Sequence, residues 1–233
     1  MALPLFLAMT ASEVSACPTL PRHMAWMACH FSSYSTGLSN LPRQLPEGSL
    51  LILNDRIPVQ GHDPREVTGQ LTQLAEDNRV CGVLLDFQRP YHPQMEAIVR
   101  TIAETLPCPV AVTEFYAKDL SCPVFLEAPR AYHALESRIT PWQGRELWLE
   151  VSYSPGTVIV TEDGSRYVPE TDFPDEFPVR RDERLHCTYS MEKSEQQIQY
   201  HFKRTPEDLT ALLEEAETLG IKKAVGLYQE LKE

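Results

Sequence analysis

The sequence predicts a (β/α)8 barrel of the TIM type, trimmed in places and carrying a small antiparallel insertion before its last helix and strand. Three observations lead there. Short apolar segments recur from Pro4 to Val151, most of them ending in polar side chains and several separated by amphipathic helical stretches, which is the pattern of a parallel sheet built from strand–helix units. The run Val80 to Leu85 is bounded by the charged stretch Glu76 to Arg79 before it and by Asp86, Gln88, Arg89 and Pro90 after it; so short an apolar run between such bounds fits a parallel strand covered on both faces. From Ser152 the pattern changes to hairpins, followed by a capped helix and a final apolar strand. At 233 residues the chain reads as one barrel domain over 1–233, near the lower limit for this fold, with the insertion over 152–204.

Taken in order, Pro4 to Met9 reads as the first strand, and Thr10 to Glu13 has the form of a capping box opening a short helix. Met24 to Phe31 is a second strand, running into a Ser/Gly/Asn-rich loop over Ser32 to Asn40. Ser49 to Asn54 is a third. Asp63-Pro64 then starts a helix to about Asp77, with Val67, Leu71, Leu74 and Ala75 as its apolar stripe. After the fourth strand, Val80 to Leu85, comes a helix from Pro93 to Leu106 with Met95, Ile98, Val99 and Ile102 at helical spacing. Pro109 to Thr113, Cys122 to Leu126 and Glu146 to Val151 are the next strands. The links between strands two and three, and between five and six, are too poor in helical signal for full helices, hence a trimmed barrel.

Beyond Ser152, Thr157 to Thr161 and Tyr167-Val168 flank Asp163-Gly164, a hairpin signal. An acidic, proline-rich segment spans Thr171 to Pro178. His186 to Met191 and Gln197 to Lys203 form a second hairpin around Glu192 to Glu195. Thr205 to Asp208 caps a helix to about Leu219, stopped by Gly220, and Ala224 to Tyr228 is the last strand.

A hydrophobic fraction of 42% and a charged fraction of 23% place the chain among ordinary globular proteins. The net charge is −12 and no lysine or arginine block occurs, which argues against nucleic acid and anionic membrane as partners, since both need a basic face. Six cysteines, Cys17, Cys29, Cys81, Cys108, Cys122 and Cys187, are scattered without a C-x-x-C pair; a reduced, cytoplasmic protein is the expectation. The apolar opening lacks a basic n-region and is too short to span a bilayer.

The stretch Cys81 to Gln88, read as C-G-V-L-L-D-F-Q, resembles the fourth-strand signature D-G-x-D/N-x-D-x-E of glycoside hydrolase family 18, the chitinase-like barrels. Gly82 falls on its glycine and Asp86 on its last aspartate. Cys81 and Leu84 replace the two earlier acidic positions, and Gln88 stands where the family places its catalytic glutamate. The layout from Thr205 to Glu230 is similar to the family's ending, with Tyr228 where tryptophan is usual. The resemblance implies a substrate-assisted mechanism in which the glutamate protonates the leaving oxygen and the aspartate two residues earlier orients the sugar's N-acetyl group. On that pattern Asp86 would take the second role, whereas Gln88 carries an amide that can hydrogen-bond a glycosidic oxygen but deliver no proton. The family's Tyr-Asp pair on the sixth strand corresponds to Leu126-Glu127.

In a barrel, chemistry is built at the carboxyl ends of the strands. The residues expected there are Asp86, Gln88, Glu114 and Glu127 as the catalytic set, with His30, Asp55, Tyr116, Glu150 and Tyr228 as substrate-binding groups and Asn54 and Gln229 beside them. Such a ring of carboxylates, amides and aromatics suits sugars, whose hydroxyls need paired donors and acceptors and whose faces stack on rings. Asp86 has an alternative structural role, pairing with Arg89 or Arg56. Trp26 and Trp148 lie within strands and read as core; Trp142 is a third candidate for stacking. A zinc site would require distant groups such as His30, Asp55 and Glu114 to converge, and no metal or cofactor is expected, since no P-loop, G-x-G-x-x-G or G-x-S-x-G occurs. Three functions remain open: a carbohydrate-binding barrel without standard chitinase chemistry, an active glycosidase of altered chemistry using two of Glu114, Glu127, Glu150 and Asp55, or a barrel kept as an interaction scaffold.

Overall fold

The computed structural model describes residues 2–153, 155–169 and 178–232; the acidic, proline-rich segment falls, except for Pro178, outside the described residues. In chain order the first half comprises β1 (Leu5–Met9), α1 (Ala11–Ala16), β2 (Met24–Phe31), β3 (Leu38–Ser39), β4 (Leu50–Asn54), α2 (Pro64–Asn78), β5 (Gly82–Asp86) and α3 (Pro93–Thr105). There follow β6 (Val110–Thr113), α4 (Glu114–Ala117), β7 (Val124–Leu126), α5 (Leu135–Ile139), a 3-10 turn at Thr140–Trp142, and β8 (Leu147–Glu150). Strands β9 (Gly156–Thr161), β10 (Gly164–Pro169), β11 (Arg180–Asp182), β12 (Cys187–Lys193) and β13 (Ile198–Lys203) precede α6 (Pro206–Thr218), β14 (Lys223–Leu227) and α7 (Tyr228–Leu231).

Strands β1, β2, β4, β5, β6, β7, β8 and β14 pair in that order, all parallel, and β14 returns to β1. This is the expected closed barrel. The expected trimming is present too: β2 and β4 are linked without a helix, and only the single turn of α4 lies between β6 and β7. The two-residue β3 pairs antiparallel with β2, and the remaining five strands form a separate antiparallel sheet, in the order β10-β9-β13-β12-β11, inserted between β8 and α6.

Strand alternation sorts the side chains into two apolar regions. Phe6, Ala8, Ala25, Leu50, Ile52, Leu84, Ala111, Phe125, Trp148 and Val225 fill the barrel interior. The opposite faces of the same strands pack against the helices, where Val67, Leu71 and Leu74 of α2 and Met95, Ile98 and Ile102 of α3 are buried as their spacing predicts. Trp148 is fully buried at the amino-terminal end of the interior, and Gly82 makes room for it: a Cβ at Gly82 would lie 2.6 Å from the Trp148 ring.

Helix starts follow their sequence signals. Thr10 with Glu13 and Thr205 with Asp208 form capping boxes, and the Asp63 side chain accepts from the Arg65 amide ahead of α2. Several element boundaries shift by a residue or more from those expected, three of them at motifs. The fourth strand runs Gly82–Asp86, two residues later than expected at its start, because Cys81 still belongs to the link from α2. The first hairpin turns on Glu162-Asp163, while Gly164 already opens β10 with φ +137°. The last strand stops at Leu227, and Tyr228 begins α7.

Candidate functional site at the barrel mouth

The site begins with β5. Leu84 faces the barrel interior, so Asp86, two residues on, faces it as well, at the carboxyl end. The parallel register sets His30 of β2 level with Asn54 of β4, and Asn54 level with Asp86. Above this layer opens a cavity of about 910 Å3, within the range of small-molecule sites. Its floor is apolar, made by Ile52, Leu84, Phe125 and Val225; its walls carry Asp86, Gln88, Asn54, Asp55, His30 and Glu150.

Each polar group has a distinct set of partners. Gln88 Nε2 donates to Asp86 Oδ1 at 2.7 Å, so the Gln88 amide is tied to the carboxylate two residues before it. Asp55, only 4% exposed, accepts from the backbone amides of Gln88 (3.2 Å) and Arg89 (2.8 Å). Arg89 in turn donates from Nε and Nη2 to the carbonyls of Asp55 and Arg56. The link after β5 is thereby fixed to the link after β4, and Arg89 is engaged with backbone rather than with Asp86. The alternative pairing of Asp86 with Arg89 or Arg56 does not form among the described residues. Asn54 Nδ2 donates to the carbonyls of Met27 and Cys29, across the register shift in β2. His30 bonds the Phe31 carbonyl through Nδ1 and meets the Asn40 amide at Nε2, the arrangement in which Nδ1 carries the proton.

Two carboxyls in this cavity are electrostatically strained. Burial pushes the Asp86 carboxyl above its ordinary pKa; the Gln88 hydrogen bond opposes the shift, and the negative charges of Asp55 and Glu127 add to it. Burial likewise raises Glu150, with the Ala128 amide (3.0 Å) opposing and Asp86, Glu127 and Glu230 adding. Both groups therefore hold a proton more tightly when folded than when unfolded, so their contribution to stability is full below the unfolded value of about 4 and is lost as pH rises through the higher folded value. Replacing Glu150 by Gln keeps an acceptor for the Ala128 amide and removes the charge. We expect Glu150→Gln to raise the melting temperature at pH 8 and to leave it nearly unchanged at pH 4; a fall at pH 8 in thermal denaturation would mean that the ionised carboxylate is held favourably.

The other expected site residues are distributed differently. Glu127 follows β7 and is exposed at the rim, close enough to act electrostatically on Asp86 and Glu150 though not among the lining residues. Glu114 is not brought to the cavity. β6 ends at Thr113, so Glu114 turns into α4, where it pairs with Arg138 and accepts from Trp142 Nε1. Tyr116 is 8% exposed and packs edge-on against Phe87, outside the barrel interior. Tyr228 is likewise displaced: Leu227 takes the inward position, and the Tyr228 hydroxyl lies 3.6 Å from Cys17 Sγ. Gln229 falls in α7 and does not line the cavity. Trp26 and Trp148 are core, as their strand positions imply. With Glu114 elsewhere, His30, Asp55 and Glu114 do not form a metal site, and among the described residues no group of His, Cys, Asp and Glu side chains is arranged to hold a metal ion.

Thr10, Ser12, Asn40 and Arg56 also line the cavity and lie outside the expected set. For Thr10 and Ser12 the signal was available, since a capping box directly after an inward-facing strand lies at the barrel mouth. Arg56 enters the sequence reading only as a partner for Asp86. Asn40 gave no signal, because its placement depends on the short return strand β3.

The sequence matches no protein-family profile and no curated protein. Solved structures do match. A family 18 chitinase variant from Cycas revoluta, in complex with (GlcNAc)4, superposes with a TM-score of 0.57 at 11% identity, covering 97% of this chain and 94% of that one. The spore cortex-lytic enzyme SleL from Bacillus cereus gives 0.56 at 9% identity, over 96% of this chain and 70% of that one. A chitinase from Chromobacterium violaceum gives 0.55 at 6% identity, over 97% and 93%. At these identities the likeness establishes the fold alone: the chain shares the barrel of these carbohydrate-active proteins.

Proposed function

We propose that the protein binds a carbohydrate, one bearing N-acetyl groups, in the barrel-mouth cavity and lacks standard chitinase chemistry. The observation that carries this reading is Asp86 at the cavity wall with the Gln88 amide bonded to it, in the place where the resembling family keeps a proton donor. A carboxylate and an amide above an apolar floor provide acceptors and a donor for sugar hydroxyls or an acetamide, with apolar surface for the ring faces. The (GlcNAc)4 held by the Cycas revoluta protein on the same barrel is consistent with that class of ligand. A mouth plugged by side chains would favour the scaffold alternative; the open cavity instead supports a ligand-binding reading.

Calorimetric titration with N-acetylglucosamine oligomers and peptidoglycan fragments tests the proposal. We expect micromolar binding that weakens by about 10–100-fold in Asp86→Ala, the loss of a hydrogen bond to a charged group. Absence of binding across the panel, or binding indifferent to Asp86→Ala, overturns it.

A second reading is an active glycosidase of altered chemistry. Of its four candidate carboxyls, Asp55 and Glu150 line the cavity; Asp55 is held by two backbone amides, whereas Glu150, pushed up by burial, has a single backbone amide as hydrogen-bond partner among the described residues. A carboxyl whose pKa is pushed upward by burial is the kind that can be tuned toward general-acid work. Turnover of an aryl glycoside abolished by Glu150→Gln supports this reading, and silence across a broad glycoside panel removes it.

A further inference from the structure

An aromatic shelf sits on the same end of the barrel, outside the cavity. Tyr91 follows β5 and is 51% exposed; Phe115 follows β6 and is 55% exposed. Their ring centroids are 6.2 Å apart, and beneath them Tyr116 lies near-parallel to Tyr91 at 6.4 Å and edge-on to Phe115 at 5.1 Å. Large exposed aromatics in a group are uncommon on a protein that binds nothing through them. Here the ring is also held: the Tyr91 hydroxyl donates to Glu96 Oε2, and Glu96 pairs with Arg100. A ring fixed at its hydroxyl and on one face loses little freedom on contact, which favours a binding surface. Glu96, Arg100, Lys118 and Asp119 surround the rings with donors and acceptors.

We propose that Tyr91 and Phe115 extend the cavity into a binding track for a saccharide chain, each ring stacking on a sugar face; this rests on the carbohydrate reading of the cavity. Only two residues, Arg89 and Pro90, separate Tyr91 from Gln88 of the cavity wall, so their backbones lie at most about 11 Å apart. A short oligosaccharide with one unit beside Asp86 and Gln88 reaches that far. The apolar faces with a polar surround fit a sugar chain, whose units present C–H faces and hydroxyl edges in alternation.

Titration of the full chain with N-acetylglucosamine dimer and hexamer separates the shelf from the cavity. We expect the hexamer to bind about tenfold or more tightly than the dimer, the gain that one or two aromatic contacts supply. Tyr91→Ala and Phe115→Ala should erase most of that gain while dimer affinity and melting temperature stay unchanged. Tyr91→Phe, which keeps the ring and releases it from Glu96, should retain most of it. A dimer that binds through Asp86 and a hexamer whose advantage survives Tyr91→Ala sink the shelf and leave the cavity reading intact. If no oligomer of either length binds, both fall. Concentration-dependent self-association of the wild type, abolished by Phe115→Ala without any saccharide effect, would instead make the patch a protein contact and overturn the proposal.

Discussion

Gln88→Glu is expected to raise the turnover of N-acetylglucosamine oligomers by about 10²–10⁴-fold over the wild type, the usual worth of a positioned general acid. The argument starts from the bond now present. Gln88 Nε2 donates to Asp86 Oδ1 at 2.7 Å, so position 88 already places its side chain within hydrogen-bond reach of the aspartate, with the backbone there fixed by Asp55. A glutamate of the same length keeps that contact only if the pair holds one proton, since two adjacent carboxylates repel. Asp86 is already pushed upward by burial and by neighbouring negative charge; a second carboxyl strengthens that effect, and the proton stays on the pair to a higher pH. Turnover in the variant should therefore follow a bell-shaped pH profile absent from the wild type. The measurement is single-turnover hydrolysis, with binding measured alongside. A variant that binds as well as the wild type and turns over nothing would show that the ligand is not held with its glycosidic oxygen at position 88. That result would shift attention to Glu150, on the other side of the same cavity.

How much of this was legible beforehand depends on whether the determining contacts are local. Asp63-Pro64, Thr10 with Glu13, and Thr205 with Asp208 name helix starts by short-range hydrogen bonds, and each forms as read. The apolar stripes of α2 and α3 are buried where their period puts them. Asp86 was findable because it closes a short apolar run with the right parity. Glu114 and Tyr228 show the limit of that logic: each follows a strand, and the residue at which a strand yields to a helix is set by packing that no local signal records. For Tyr228 a single residue decided the matter, since strand alternation sends Leu227 inward and its successor outward. The role of Asp55 was also hidden, because its partners lie 33 and 34 residues away and meet it only once β4 and β5 are neighbours. The edge strands β3 and β11 escaped for the opposite reason. A Leu-Ser pair and an Arg-Arg-Asp triplet carry no apolar pattern, and their strand state comes from the neighbours they pair with.

The largest stability loss should come from Trp148→Ala, about 3–5 kcal/mol, or roughly 6–20 °C in melting temperature for a chain of this size. The tryptophan is fully buried in the barrel interior, its Nε1 donates to Glu146 Oε1 at 2.8 Å, and the Lys223 ammonium lies 4.2 Å from the ring centre. Eight strands enclose the space, so the walls cannot collapse into the void, and the cost should sit at the upper end. Gly82 offers an independent check. A methyl group there would lie 2.6 Å from Trp148 Cη2 and 3.1 Å from the Pro109 carbonyl, and such overpacking typically costs about 1–3 kcal/mol. If the ring is what excludes a side chain at Gly82, the two substitutions are coupled: Gly82→Ala should cost less in the Trp148→Ala background than in the wild type. Urea denaturation of the four proteins reads the coupling directly. Strict additivity would place the steric limit at the Pro109 backbone instead, and a loss below about 1 kcal/mol for Trp148→Ala would mean that water or neighbouring side chains fill the base of the barrel. The cavity sits on the same stack of side chains, with Phe125 and Leu84 belonging both to its floor and to the interior that holds Trp148. The tryptophan thus supports from below the floor of the cavity whose wall carries Asp86 and Glu150.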